Sequence, residues 1–197
     1  MLFFILLIFE IFILYLLKRA VSIKIFRFLL GITKNRNRAI YLFAILFLPG
    51  TFIHEMSHFL TALFLLVPVG QIELVPVIEE NGVRMGSVPI GKTDIIRRTL
   101  IGVAPILFGL AIIFITISLP ISWFIRVYIA FEIGNTMFSS ERDLEGVIPF
   151  LVFLIIVYII LYFLGVRISF PINMELFKTA DIFLLIPIGV DLLLWYS

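Results

Sequence analysis

The chain has 197 residues, 62% of them hydrophobic, and a net charge of +2. Charged residues make up 14%, against about 25% in a typical soluble domain, so the composition favours an integral membrane protein. The absence of cysteine excludes disulfides, thiolate metal ligands and a cysteine nucleophile. The excess positive charge borders apolar segments, which is typical of contact with anionic lipid in a bilayer and argues against nucleic acid as a partner.

The hydrophobic pattern predicts an all-α polytopic membrane protein with about six transmembrane helices and a short β-hairpin after the second. Each predicted span is a largely apolar run of roughly the length that crosses a bilayer. The predicted spans are 1–17, 39–68, 100–119, 121–138, 147–165 and 182–196.

Residues 18–38 carry seven Lys and Arg and no acid. Ile23, Phe26 and Leu30 recur at helical spacing among them. This pattern predicts an amphipathic interfacial helix followed by a basic turn.

The second span, 39–68, is longer than the apolar thickness of a bilayer, so it should tilt or bend. Pro49-Gly50 is the expected position of the kink. After this span, residues 71–78 and 83–90 are rich in Val and Ile and flank Asn81-Gly82, a strong signal for a two-residue hairpin turn. That turn would place Glu79 opposite Arg84 as a cross-strand ion pair.

Residues 54–58 read His-Glu-Met-Ser-His and contain both histidines of the chain. In an α-helix, positions i and i+4 share one face, so His54 and His58 can both bind one ion. Zinc is the usual ion for such a pair, and a catalytic zinc keeps a water at an open position. Glu55 is placed to take a proton from that water. The motif predicts one Zn²⁺ per chain, with a chance match to the short pattern as the alternative.

The third ligand has to be an Asp, a Glu, a backbone group or water, because no other His or Cys remains in the chain. Four acids lie near the end of the fourth span, where it could approach the motif. They are Glu132, Glu141, Asp143 and Glu145. Spacing alone does not choose among them.

The arrangement of motifs resembles that of the site-2 proteases, the intramembrane zinc metalloproteases. In that family a His-Glu-x-x-His span is followed by a hairpin and then by a span that opens with a Gly-x-Ala-Gly-Pro-like sequence. Here Gly102-Val103-Ala104-Pro105 matches with one Gly missing, and the chain has no PDZ or CBS domain. A later Asn and Asp, eight positions apart in the family, correspond to Asn135 and Asp143, although Phe138 stands where the family has Pro.

The resemblance implies particular roles for residues outside the first motif. Asp143 would be the third zinc ligand, with Glu132 or Glu145 as the fallback. Asn135 would be catalytic, holding the substrate backbone or supporting the developing oxyanion.

The implied function is hydrolysis of a peptide bond in a transmembrane or membrane-anchored protein substrate, which would add to the hairpin edge as an extra strand. Two alternatives stay open: an ion-binding, transporter-like membrane protein and a catalytically silent pseudoprotease. We treat 1–197 as a single membrane domain. It divides into a first span with its basic segment (1–38), a metalloprotease core (39–150) and a C-terminal remainder (151–197).

We expect an integral multi-pass protein of the cell membrane. The positive-inside rule places the basic segment in the cytoplasm and the hairpin on the opposite face. In the family, the active site usually opens toward the cytoplasm. These two indications conflict, so the side on which the site opens is left undecided.

Overall fold

The computed structural model describes residues 2–79, 82–138, 147–165 and 174–196. These residues are mostly helical, with one two-stranded antiparallel sheet, as predicted. The helices are α1 (Leu2–Thr33), α2 (Arg36–Leu46), α3 (Leu48–Phe64), α4 (Ile95–Ser118), α5 (Trp123–Thr136), α6 (Val147–Phe163) and α7 (Met174–Tyr196). The strands are β1 (Val77–Glu79) and β2 (Gly82–Arg84).

The first helix is longer than the sequence indicated. The predicted span at 1–17 and the interfacial helix after it form one continuous helix, α1, so the boundary at residue 17 is wrong. Lys18 and Arg19 are good helix formers and do not interrupt the helix. The basic turn is confirmed: Lys34 has a positive φ of 48°, and the Asn35 side chain caps α2 by accepting a hydrogen bond from the Arg38 N–H.

The second predicted span is bent, as its length required. Helices α2 and α3 meet at 67°, and the break lies at Phe47 rather than at Pro49-Gly50. The difference has a physical reason, because proline is well tolerated in the first turn of a helix, where its missing N–H leaves no bond unmade. Pro49 therefore starts α3 instead of kinking it.

The hairpin forms, but in a different register from the predicted one. Strand β1 pairs with β2 so that Glu79 faces Gly82 and Val77 faces Arg84. The predicted Asn81-Gly82 turn and the pairing of Glu79 with Arg84 are therefore wrong. The observed register sets Ile78 opposite Val83, a β-branched pair of the kind that stabilises adjacent strands. Isolated bridges continue the two arms to Val69 and Ile90.

Helix α5 lies at the centre of the fold and contacts α1, α3, α4 and α7. Its Ile133 and the C-cap residue Met137 pack in one apolar cluster with residues of α1, α4 and α7. A Cβ on Gly134 would lie 3.1 Å from the Pro187 Cβ, so the missing side chain allows α5 and α7 to approach closely. On another side α5 lies against α3, where the Glu132 carboxylate meets the Gly50 N–H.

By length and composition, one helix among the described residues, Ile95–Ser118, is apolar enough to cross a membrane. The bent pair α2 and α3 makes a second if it is counted as one span. The predicted segments at 100–119, 121–138, 147–165 and 182–196 all fall largely within helices. That they cross a bilayer stays a prediction.

Candidate metal centre

The two histidines of the chain lie one turn apart on α3, as their spacing predicts. His54 and His58 are 3% and 5% exposed. Their Nε2 atoms are 3.1 Å apart, and the two rings meet edge to face at 84°. The pair is thus a buried site in which two ring nitrogens face one another.

The ring of His58 is held by a contact from α4. Its Nδ1 lies 2.8 Å from the carbonyl oxygen of Ile101. A carbonyl oxygen can only accept, so Nδ1 must carry the hydrogen and donate it. In the neutral ring this leaves a lone pair on Nε2, the atom that faces His54.

The geometry of this pair fits a shared zinc ion. Zinc–nitrogen bonds are about 2.0–2.1 Å long, so two nitrogens of one tetrahedral site lie about 3.3 Å apart. The observed separation of 3.1 Å between the Nε2 atoms is close to this value. A backbone carbonyl behind the second ring nitrogen is also the usual support of a metal-binding histidine.

The third ligand of this site is not found among the residues that the structure describes. Within them, no further His, Cys, Asp or Glu joins His54 and His58 in a group that could hold a metal. Asp143, with Glu141 and Glu145, lies outside the described residues. Its predicted role is therefore untested.

Glu132, a predicted fallback ligand, is engaged elsewhere. It is 1% exposed, and its Oε2 accepts a hydrogen bond of 3.2 Å from the Gly50 N–H. Gly50 is in the first turn of α3, where N–H groups have no partner within the helix. The N-cap residue, Phe47, makes no side-chain bond there. Glu132 therefore caps the motif helix from α5.

Glu55 is 5% exposed and lies under the second arm of the hairpin. A Cβ built on Gly86 would be 3.0 Å from the Glu55 Oε1 and 2.9 Å from the Thr51 Cγ2. Only glycine fits at this position without displacing the carboxylate. The hairpin thus covers the predicted general base.

A cavity of about 540 Å³ opens beside His54. His54 and Asn135 line it from α3 and α5, and Met85 lines it from the hairpin. Lys18 and Arg19 reach it from α1. The cavity therefore joins both predicted motifs and the hairpin in one space.

Asn135 lies at this cavity, but its amide nitrogen is occupied by protein groups. Its Nδ2 donates to the Phe131 carbonyl oxygen at 3.0 Å and to the Asp191 Oδ1 at 3.2 Å. Both amide hydrogens are therefore used within the protein. The predicted role in binding an oxyanion requires one of these two bonds to open.

Asp191 is the residue near this site that sequence reasoning missed. It lies on α7, is fully buried and binds an amide 56 positions away. The available signal was its charge within an apolar segment, since acids there are costly and usually functional. The pattern of residues 182–196 predicts a span and does not mark this acid as part of the site.

The chain was compared with family models, with characterised proteins and with solved structures, and nothing matches it in any of the three comparisons.

Proposed function

We propose that this chain is an intramembrane zinc endopeptidase that hydrolyses a peptide bond in a transmembrane or membrane-anchored protein. The observation that carries the proposal is the His54 and His58 pair. Its two Nε2 atoms are 3.1 Å apart, and the pair is buried on one helix with Glu55 between its members. The resemblance of the motifs to the site-2 proteases supports the same reaction.

The distribution of polar and apolar side chains supports a membrane location. Glu132 and Asp191 are 1% and 0% exposed, whereas Phe124 and Phe163 are 84% and 82% exposed. Acidic residues of a soluble domain are almost never fully buried unless they are paired. In lipid the preference reverses, and polar groups face the interior of the helix bundle.

Each of the candidate residues would have a separate role in hydrolysis. His54 and His58 would hold the zinc, with Asp143 proposed as the third ligand. Bound zinc supplies Lewis acidity, which polarises the scissile carbonyl group and acidifies water. Glu55 takes a proton from the attacking water as the new C–O bond forms. It then delivers that proton to the leaving nitrogen as the C–N bond breaks.

The position of the hairpin suggests how a substrate would be presented. The peptide bonds of a transmembrane helix are protected by the hydrogen bonds of that helix, so the substrate must unwind locally before it is cut. An extended segment can pair with the edge of a two-stranded sheet. Met85 lines the cavity and Gly86 lies against Glu55, so a segment paired with this arm would lie near the general base.

The test compares the wild type with Glu55→Gln on a candidate membrane substrate in liposomes. We expect Glu55→Gln to lower cleavage by about 10²–10⁴-fold, the usual contribution of a general base, and to leave the zinc content unchanged. Glu10→Gln is the matched control, because Glu10 is also a buried helical acid and has no proposed role in the reaction. Equal cleavage by the wild type and Glu55→Gln would contradict the proposal.

A further inference from the structure

Helix α4 contains a proline, and its position leaves one carbonyl without its usual donor. In an α-helix the carbonyl of residue i accepts a hydrogen bond from the N–H of residue i+4. Pro105 lies inside α4, four residues after Ile101, and proline has no N–H to donate. The Ile101 carbonyl therefore has no hydrogen-bond donor at position i+4 of the helix.

The His58 ring supplies a donor to this carbonyl in place of the missing N–H. Its Nδ1 lies 2.8 Å from the Ile101 oxygen, and the backbone there is deeply buried, with Ile101 only 2% exposed. A buried carbonyl without a donor is costly. The imidazole N–H donates a hydrogen bond to the carbonyl, and this bond fixes the orientation of the His58 ring.

We propose that Pro105 is a positioning residue, which frees the Ile101 carbonyl so that His58 adopts the Nδ1–H tautomer with its Nε2 directed at His54. The hydrogen on Nδ1 keeps the Nε2 lone pair available as a ligand. Hydrogen bonds of this kind fix the ring and strengthen the ligand, and their loss commonly lowers metal affinity by about 10–100-fold.

The effect on zinc rests on the proposed metal role of His54 and His58. The effect on the tautomer does not, because it concerns only the contact between His58 and α4.

The tautomer can be read directly, because the chain has only two histidines. Protein labelled with ¹⁵N-histidine contains four labelled ring nitrogens, and their chemical shifts in detergent micelles report which nitrogen carries the hydrogen. In metal-free wild-type protein we expect His58 to be the Nδ1–H form. In Pro105→Ala the restored N–H competes for the Ile101 carbonyl, so we expect a mixture of the two tautomers.

The second readout is the dissociation constant for zinc, measured by competition with a chelator. We expect Pro105→Ala to weaken zinc binding by about 10–100-fold. The matched control is Pro187→Ala, which removes the proline inside α7 and should leave both the His58 tautomer and the zinc affinity unchanged. Should Pro105→Ala fail to fold by circular dichroism, Pro105→Gly restores the same N–H without adding a side chain.

An unchanged tautomer in a folded Pro105 variant would overturn the inference. Equal losses of zinc affinity in Pro105→Ala and Pro187→Ala would also overturn it, because they would show a general effect of straightening a helix. A shifted tautomer in a protein that binds no zinc would sustain the inference while the proposed function failed.

Discussion

Two buried polar pairs reach the same cavity through one member each, His54 and Asn135, and they are built from different groups. In the first pair, the Nε2 atoms of His54 and His58 face one another at 3.1 Å. In the second, the Asn135 amide donates to the Asp191 carboxylate at 3.2 Å. The second pair matches a donor with an acceptor, as buried polar groups normally do.

The histidine pair differs in composition, because both facing atoms are imidazole nitrogens. The contact with Ile101 makes the His58 Nε2 an acceptor, and the His54 Nε2 either donates to it or presents a second lone pair, according to the His54 tautomer. If the His54 hydrogen is on Nδ1, two imidazole lone pairs are directed at one point, which is the usual arrangement around a metal ion. Burial of polar groups in this fold therefore does not by itself identify the site of chemistry. The candidate metal site is distinguished by its two facing imidazole nitrogens, whereas the other pair joins an amide donor to a carboxylate on another helix.

The largest expected difference between the histidine pair and the Asn135 and Asp191 pair is in the effect of Asn135→Ala on kcat and on zinc content. If the amide opens from Asp191 to support the oxyanion, its loss lowers kcat by about 10²–10³-fold, while zinc content stays at the wild-type level. Asp191→Ala should cause a smaller loss, because it removes only the group that orients the amide. Cleavage rates and zinc content measured on the same preparations check both expectations. Wild-type activity in Asn135→Ala would show that the second pair is only a structural link.

A second variant tests whether the hairpin fixes the position of Glu55. Gly86→Val places a side chain where even a Cβ would lie 3.0 Å from the Glu55 Oε1. A displaced general base lowers kcat by about 10–100-fold, and we expect zinc binding to be unchanged. The control is Gly31→Ala, since a Cβ there meets nothing within 4 Å. Equal kcat values for the two variants would show that the hairpin does not fix the position of Glu55.

The contact between Glu132 and Gly50 should affect stability more than chemistry. Glu132→Ala leaves the buried Gly50 N–H without its acceptor, which costs about 1–3 kcal/mol of unfolding free energy. Glu132→Gln keeps an acceptor oxygen and should recover most of that loss. Denaturant titration of detergent-solubilised protein measures the difference. The loss of one equivalent of zinc in Glu132→Gln would instead identify this residue as a ligand.

The smallest effect is expected at Asp94, the N-cap residue of α4. Its carboxylate caps α4 by accepting from the N–H groups of Ile96 and Arg97. The bond from the Arg97 N–H, chiefly, lowers the pKa of Asp94. A lowered pKa means that the cap stabilises the fold at neutral pH and is lost as the pH falls through that value. Asp94→Ala should therefore lower the thermal midpoint slightly at pH 7, and the difference from wild type should vanish in acid.

The elements that local sequence determines were largely predictable. The spacing of His54 and His58 within a helix, the bend before them and the existence of a hairpin all follow from short-range patterns. The hairpin register did not follow, because the pairing of Ile78 with Val83 outweighed the turn preference of Asn-Gly. The continuity of α1 did not follow either. The charges of Lys18 and Arg19 indicate the end of a span, but the helix continues through them.

Contacts between distant helices were beyond sequence reasoning. Gly50 and Glu132 are 82 positions apart, and His58 and Ile101 are 43 apart. Such contacts depend on how each helix is rotated and set against its neighbours, which a single sequence does not specify. Glu132, Asn135 and Asp191 could be recognised as unusual within apolar segments, but their partners could not be named.

The most direct test of the central claim is the zinc content of purified protein, measured by elemental mass spectrometry. The wild type and Asn135→Ala should each retain about one equivalent per chain, as a single catalytic site requires, whereas His54→Ala and His58→Ala should retain none. A wild-type protein that binds no zinc, or histidine variants that keep it, would contradict the assignment of this pair as a metal centre.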